Sequence, residues 1–439
     1  MNNSVQQLVA KGPWAAQERL GGFQLAAIAV CVGLNMLDGF DVLAMSFSAT
    51  GVKAAWALPD VRLGWLLSAG LIGMAAGSLA LAPCADYFGR RRTILIAATV
   101  AALGMLGSVA ARDFTDLLVL RAITGIGIGA TIASAAVVVS EYAPDRWRAA
   151  ALAAYSTGYP VGATLGGYLT TLAIPTYGWR SAFAIGGIMS LAMVLIALWR
   201  LPESLDFLVT RRPPRALPRL NALLTRMHQP TLSALPERAG ESAGQGGRVP
   251  LELLLSGRTL LAWLMFFCTM AAFYFSVSWT PRLLNAAGAS ATLGLAAGVL
   301  FNLGGIAGCG GFALAAARFD AHRLQLLSLI ASALLIAAFG MVVHHVEVAL
   351  WTALLLGLIT NAAMSGLYAV GPPLYPAAVR ATGMGWAVGI GRFGAILAPI
   401  LSGALLDAGW APAQLYFLFS LPFLVAAVAM LGIGLRQGP

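Results

Sequence analysis

The chain has 439 residues, of which 59% are hydrophobic and only 10% charged, against roughly 25% charged residues in an ordinary soluble domain. So few charges cannot cover a water-soluble fold of this length, which excludes that class and leaves a polytopic membrane protein. The formal charge of +10 invites a nucleic-acid partner, but the basic residues lie in connecting segments rather than on one face, so none is expected. In chain order, the N-terminal MNNSVQQLVAKGPWAAQERLGG, residues 1–22, is polar and lacks a signal-peptide core, so the first apolar segment reads as an uncleaved anchor. A membrane-spanning helix needs about 20 mostly apolar residues. Twelve such segments follow, near 23–47, 63–84, 93–111, 116–139, 150–173, 181–200, 259–279, 291–316, 324–343, 348–370, 382–403 and 412–434. Between the sixth and seventh lies 201–258, a Pro-, Gly- and Arg-rich linker expected to be partly mobile, and 435–439 forms a short tail. Cys31, Cys84, Cys268 and Cys309 lie in or beside apolar segments without metal or disulfide spacing, so they read as packing residues and no metal is expected.

With the N-terminus in the cytoplasm, 20 of the 27 basic residues fall on the cytoplasmic side. Lys53, Arg62, Arg112, Arg180 and Arg282 fall outside, and Arg121 and Arg392 stay within spans. This positive-inside bias places both termini and the linker in the cytoplasm. The two sets of six spans also repeat. At an offset of 232, Pro144, Arg148, Gly162, Ala163 and Leu165 meet Pro376, Arg380, Gly394, Ala395 and Leu397; at 231, Phe88 and Arg92 meet Phe319 and Arg323. The expected fold is therefore an all-α polytopic membrane protein, with 12 transmembrane helices in two pseudo-symmetric six-helix halves, 23–200 and 259–434. That is the arrangement of the major facilitator fold, in which a midplane site is exposed alternately to each side.

APCADYFGRRR at 82–92 resembles the major facilitator loop signature G-x-x-x-D-R-x-G-R-R, with Asp86, Gly89, Arg90 and Arg91 matching and Ala82 and Tyr87 departing from it. The second-half copy, ALAAARFDAHR at 313–323, is eroded, with Ala317 where the acid would stand. In that family the loop latches a cytoplasmic gate through ion pairs. The resemblance implies such a gate here, with Glu141 and Arg146 of SEYAPDRWR beside the loop and Glu141 as partner for a loop arginine. Simple loop charge is the alternative.

Of the 17 acidic residues, only Asp38 and Asp41, in LNMLDGFDVLAMS, fall well inside a span. With Arg121 and Arg392 they are the ionisable charges at depth, where such groups cost several kcal/mol and face a cavity or one another. Three residues apart, the acids share a helix face. If the first helix ends near Phe47, Asp41 lies about 9 Å and Asp38 about 14 Å below its outer end, with Arg121 roughly 8 Å below its own. The three are expected to meet, and Arg392, roughly 15 Å into its helix, to stand near the midplane. They are either structural ion pairs or transport machinery. The repeat favours the second reading: the counterparts of Asp38, Asp41 and Arg121 at 231 are Thr269, Ala272 and Thr352, and that of Arg392 at 232 is Pro160. A desolvated carboxylate that alternates between an arginine and a proton can couple flux, and a midplane guanidinium can fork onto a carboxylate. An anion taken up with protons is the expected cargo.

The DGFD element, the loop signature, RAITGIGIGATIASAAVVVSEYAP at 121–144 and RATGMGWAVGIGRFGAILAP at 380–399 together resemble the aromatic acid:proton symporters of the major facilitator superfamily. The resemblance implies coupling roles for Asp38 and Asp41 and substrate roles for Arg121 and Arg392. It also implies a small aromatic carboxylate substrate, a bacterial inner membrane, a monomer and no cofactor beyond the proton gradient. Helices one, four, seven and ten line the cavity in that fold, which favours Tyr274, Trp279 and Asn361 as substrate contacts over Tyr155 and Tyr159 of helix five; Phe275 and Tyr368 are further aromatics. No GxSxG, HExxH or Walker motif supports an enzyme. A proton-driven exporter and a transport-dead sensor are the remaining alternatives.

Overall fold

The computed structural model describes residues 20–235, 256–375 and 380–435. Most of the expected N-terminal segment, part of the linker and nearly all of the tail lie outside the described residues. Among the described residues the elements are all helical. The first half comprises α1 (Gly22–Trp56), α2 (Asp60–Ala80), the short α3 (Ala82–Phe88), α4 (Arg90–Val109), α5 (Phe114–Tyr142), α6 (Asp145–Tyr177) and α7 (Arg180–Arg200). The linker holds α8 (Leu205–Arg211) and α9 (Ala216–Arg226). The second half comprises α10 (Gly257–Ala286), α11 (Ala291–Ala316), α12 (Ala321–Val342), α13 (Val346–Val370), α14 (Arg380–Asp407) and α15 (Pro412–Leu435).

Twelve of these helices occupy the twelve expected spans, and among the described residues eleven are long and apolar enough to cross a membrane. The remaining one, α6, has the length but is rich in Ser, Thr and Gly. Three of its threonine hydroxyls are satisfied within the helix: Thr157, Thr164 and Thr171 donate to the carbonyls four residues earlier, each at 2.8 Å. Its glycines let α1 approach at backbone distance, since a Cβ at Gly162 would overlap the Met36 carbonyl. Helix α1 also continues nine residues beyond the expected end at Phe47. Ser46 and Ser48, on either side of that point, are buried donors: Ser46 Oγ gives to Ser278 O at 2.6 Å and Ser48 Oγ to Trp179 O at 3.1 Å.

Packing also corrects the register of the repeat. Gly162 rides on Met36 in the first half and Gly394 on Phe267 in the second, so α1 maps to α10 at 231 while α6 maps to α14 at 232. Gly73 rides on Ala122 and Gly304 on Leu354, which puts α2 at 231 but α5 at 232. The counterpart of Arg121 is therefore Ala353, fully buried like Arg121, rather than the half-buried Thr352.

The halves are joined at the end remote from the linker. There Asp407 of α14 accepts from the N–H groups of Asp60 and Val61 at the start of α2, both at 2.8 Å. Arg282 of α10 pairs with Asp60 at 3.5 Å, Asn285 gives to Thr50 Oγ1 at 3.0 Å and Ser68 Oγ to Ile396 O at 2.7 Å. A separate apolar core fills the linker end of the first half. It includes Leu205 and Leu208 of α8 and Leu220 and Leu224 of α9, so this part of the linker is docked.

Candidate functional site

Helices α1 and α5 meet at a buried ion pair. Arg121 Nη1 donates to Asp41 Oδ1 at 2.7 Å and Nη2 to Oδ2 at 3.0 Å, while Nη2 also reaches the Asp41 carbonyl at 2.9 Å. Arg121 is 1% exposed and Asp41 3%. The ring of Phe183 on α7 covers the guanidinium, 5.6 Å from Cζ. A planar fork on both carboxylate oxygens is the geometry that best offsets the desolvation of two charges. Of the three charges expected to meet, Arg121 and Asp41 do. Asp38 is buried beside them with Oδ2 unpartnered, and among the described residues it makes no hydrogen bond or ion pair.

Between the halves lies a cavity of about 40 Å³, lined by Leu71 of α2, Met270 and Tyr274 of α10, Met364 and Tyr368 of α13, and Val388, Arg392 and Ala395 of α14. Among the described residues Arg392 has no hydrogen bond or ion pair. The volume has room for about three waters, each needing roughly 10–15 Å³, and is far below the roughly 300–1,000 Å³ of small-molecule pockets. As it stands the cavity has no room for a ligand of that size.

Tyr274 lines this cavity, as its place on the seventh span predicts. Trp279 does not: it is fully buried in the main core, with Nε1 unpartnered. Asn361 turns toward α11, where it lies against Gly305 and gives Nδ2 to the Gly357 carbonyl at 2.9 Å. Tyr159, passed over in favour of the seventh and tenth spans, lies within electrostatic range of Asp38, Asp41, Tyr274 and Arg392. Its hydroxyl is buried without a partner. Aromatic residues are common in membrane helices, and only the crossing of α1 and α6 reveals where this one points.

At the linker end the loop signature is held by ion pairs and hydrogen bonds. Arg90 pairs with Glu141, and its Nη1 also gives to Ser204 Oγ at 3.1 Å, while Asp86 lies 3.3 Å from Nη2. Glu141 further accepts from Ser204 Oγ at 2.8 Å and the Leu205 N–H at 2.9 Å. Arg91 gives its N–H to Glu203 at 3.0 Å and Nη2 to the Leu198 carbonyl at 2.6 Å. Gly89 sits at φ +100°, and a Cβ there would crowd the Glu203 carboxylate. These partners belong to the first half and to the start of the linker. Glu203 and Ser204 of LPES were missed, although a Ser before an apolar run is a helix-start signal and Ser204 caps α8. Arg146 is exposed, and among the described residues it makes no hydrogen bond or ion pair.

Residues 28–343 match the Major Facilitator Superfamily. The chain is 32% identical over 442 residues to the 4-hydroxybenzoate transporter PcaK of Pseudomonas putida, covering 99% of this chain and 97% of that one. It is 32% identical over 425 residues to a gallate transporter of the same species, covering 96% and 94%. Among solved structures, the inward-open xylose transporter XylE from E. coli superposes with a TM-score of 0.77 at 17% identity, over 93% of this chain and 96% of that one, and shares the fold. The chain belongs to the major facilitator superfamily, as a multi-pass membrane transporter of the aromatic acid transporter family, and is not an enzyme.

Proposed function

We propose that this protein imports a small aromatic carboxylic acid together with protons across a bacterial inner membrane, as a monomer with both termini in the cytoplasm and without a cofactor. The observation that carries this reading is Arg392, a guanidinium without an anionic partner on the lining of the inter-half cavity, beside Tyr274 and Tyr368. A partly buried cation so placed is unpaired until an anion arrives, and its planar fork suits a carboxylate. Tyrosine rings beside it offer apolar faces to an aromatic body and hydroxyls to polar substituents. The relatives named for 4-hydroxybenzoate and gallate support the same class of cargo.

The proton enters through the acid pair. Asp41, while ionised, is tied to Arg121; protonation removes its charge, frees Arg121 from the fork and loosens α1 from α5. Asp38, buried without a partner, is the second carboxylate available to a proton. The halves at 23–200 and 259–434 then rock about the midplane. The far-end contacts of Asp407 and Arg282 hold one closed form, and Asp86, Gly89, Arg90, Arg91, Glu141 and Arg146 belong to the gate at the linker end.

The test is uptake of labelled benzoate, 4-hydroxybenzoate and gallate into proteoliposomes, with and without an inward proton gradient, in the wild type and in Asp41→Asn. Accumulation of one acid that needs the gradient and is lost in Asp41→Asn is expected. Gradient-driven extrusion would make the protein an exporter, and flux indifferent to the gradient would remove proton coupling.

A further inference from the structure

Among the described residues, the Asp38 carboxylate, through Oδ2, and the Tyr159 hydroxyl are buried polar groups with no hydrogen-bond partner. Buried polar atoms are nearly always satisfied, and exceptions mark functional positions or ligand contacts. The two belong to one place. Gly39, the residue after Asp38, packs directly on the backbone of Tyr159, so α1 and α6 cross at this turn. Neighbouring groups on α6 are already used: Tyr155 accepts Asn35 Nδ2 at its carbonyl at 2.6 Å and gives its own hydroxyl to Ile132 O at 3.2 Å. Tyr159 remains free to switch.

The charged and titratable groups around this point come from five helices. Asp38 lies within electrostatic range of Asp41 on its own helix and of Tyr155 and Tyr159 on α6. Asp41 is held by Arg121 of α5. Tyr159 lies within electrostatic range of Tyr274 of α10 and Arg392 of α14 across the half boundary. It therefore stands between the acids of one half and the cationic cavity of the other.

Resting on the reading of an aromatic-acid symporter, we infer that Tyr159 is the positioning residue that links protonation of Asp38 to capture of the carboxylate at Arg392. Its single O–H has two competing acceptors. When Asp38 is ionised, its carboxylate takes that hydrogen bond. When Asp38 carries a proton it becomes the poorer acceptor, and the O–H turns to the carboxylate of the ligand, because hydrogen bonds to ionised acceptors are about twice as strong as neutral ones. Tyr159 keeps its own proton throughout; only the bond it makes changes. Proton binding thus tightens anion binding, and by linkage the anion tightens proton binding to the same degree. A symporter needs that sign of coupling.

The experiment measures the affinity of purified protein for benzoate, 4-hydroxybenzoate and gallate from acid to neutral pH, in the wild type and in Tyr159→Phe, which keeps the ring and removes the O–H. In the wild type, binding of at least one acid should strengthen as pH falls. In Tyr159→Phe that strengthening should shrink by about tenfold, the weight of one charge-assisted hydrogen bond. The loss should be concentrated at the acid end. A second variant guards against misfolding: Asp38→Asn holds the acid site neutral, so adding Tyr159→Phe to it should cost about tenfold at every pH. A full wild-type pH slope in Tyr159→Phe, or an equal loss at every pH in the otherwise native protein, overturns the inference and leaves the symporter reading intact. A wild type that binds none of the three acids, or binds them without pH dependence, overturns both.

Discussion

In the first half, α1 carries Asp38 and Asp41 and α5 carries Arg121; in the second, the matching positions on α10 and α13 are Thr269, Ala272 and Ala353. All six are buried. The glycine contacts that seat these helices on their neighbours, α1 on α6 and α5 on α2, recur between α10 and α14 and between α13 and α11, so the same scaffold holds an ion pair in one half and methyl groups in the other. The difference teaches that the pair is dispensable for the fold. It costs desolvation that its twin avoids. The second half carries its own unshared charge, Arg392, where the first half has Pro160. One half thus presents acids and the other a cation that makes no hydrogen bond or ion pair among the described residues.

The sharpest way to break this comparison is to make the first half resemble the second. Arg121→Ala alone leaves the Asp41 carboxyl group unpaired in the core, and should cost about 3–5 kcal/mol, read as a fall in unfolding temperature in detergent. Asp41→Ala added to it should recover most of that loss, because the site then has the chemistry of Ala272 and Ala353. Proton-driven uptake should remain absent in the double variant. If the double variant is as unstable as the single, the pair is structural and the lesson of the twin half fails.

Next in size is Arg392. Arg392→Gln should weaken binding of the transported acid by roughly thirtyfold, near 2 kcal/mol, since a hydrogen bond to a charged group contributes about 1.5–3 kcal/mol. Arg392→Lys should restore only part of this, because an ammonium offers a point charge and not a fork. Unfolding temperature should move little, as Arg392 has no hydrogen-bond or ion-pair partner to orphan among the described residues. Unchanged affinity in Arg392→Gln would detach the cavity from the substrate.

These positions were legible in the sequence because charge within a span is rare and costly, so Asp38, Asp41, Arg121 and Arg392 stood out from apolar surroundings. The twelve spans and the repeat were legible for the same reason, hydropathy being dictated by the bilayer. Other features depend on tertiary contacts that leave no local trace. Nothing in GYPVG distinguishes Tyr159 from any other membrane tyrosine until Gly39 is seen beneath it. Trp279 looked like a substrate contact only while its helix face was unknown. The linker was half-readable: Leu220 and Leu224, four apart, mark the apolar stripe by which α9 docks, but the arginines around them drew the reading toward topology.

The smallest predicted effect concerns a second asymmetry between the halves, at the far end. Helix α11, the twin of α2, caps itself: Ser290 accepts from the Leu293 N–H. Helix α2 begins after Pro59, which makes no side-chain cap, and borrows the Asp407 carboxylate of the other half. A cap supplied across the boundary holds only while the far end is closed, so it belongs to the conformational equilibrium more than to the fold. Asp407→Ala should therefore favour the far-end-open form by about 1 kcal/mol, the usual worth of an N-cap, or roughly fivefold. Because Asp407 is exposed, raising the salt should shrink the wild-type advantage. The measurement is the rate at which a membrane-impermeant thiol reagent labels a cysteine placed at Thr50, beside Asn285 in the far-end contact. Faster labelling in Asp407→Ala, with unfolding temperature nearly unchanged, assigns the carboxylate to the gate. An equal labelling rate with a lowered unfolding temperature would make it an ordinary helix cap, and the two ends of the comparison would then differ only in which residue supplies it.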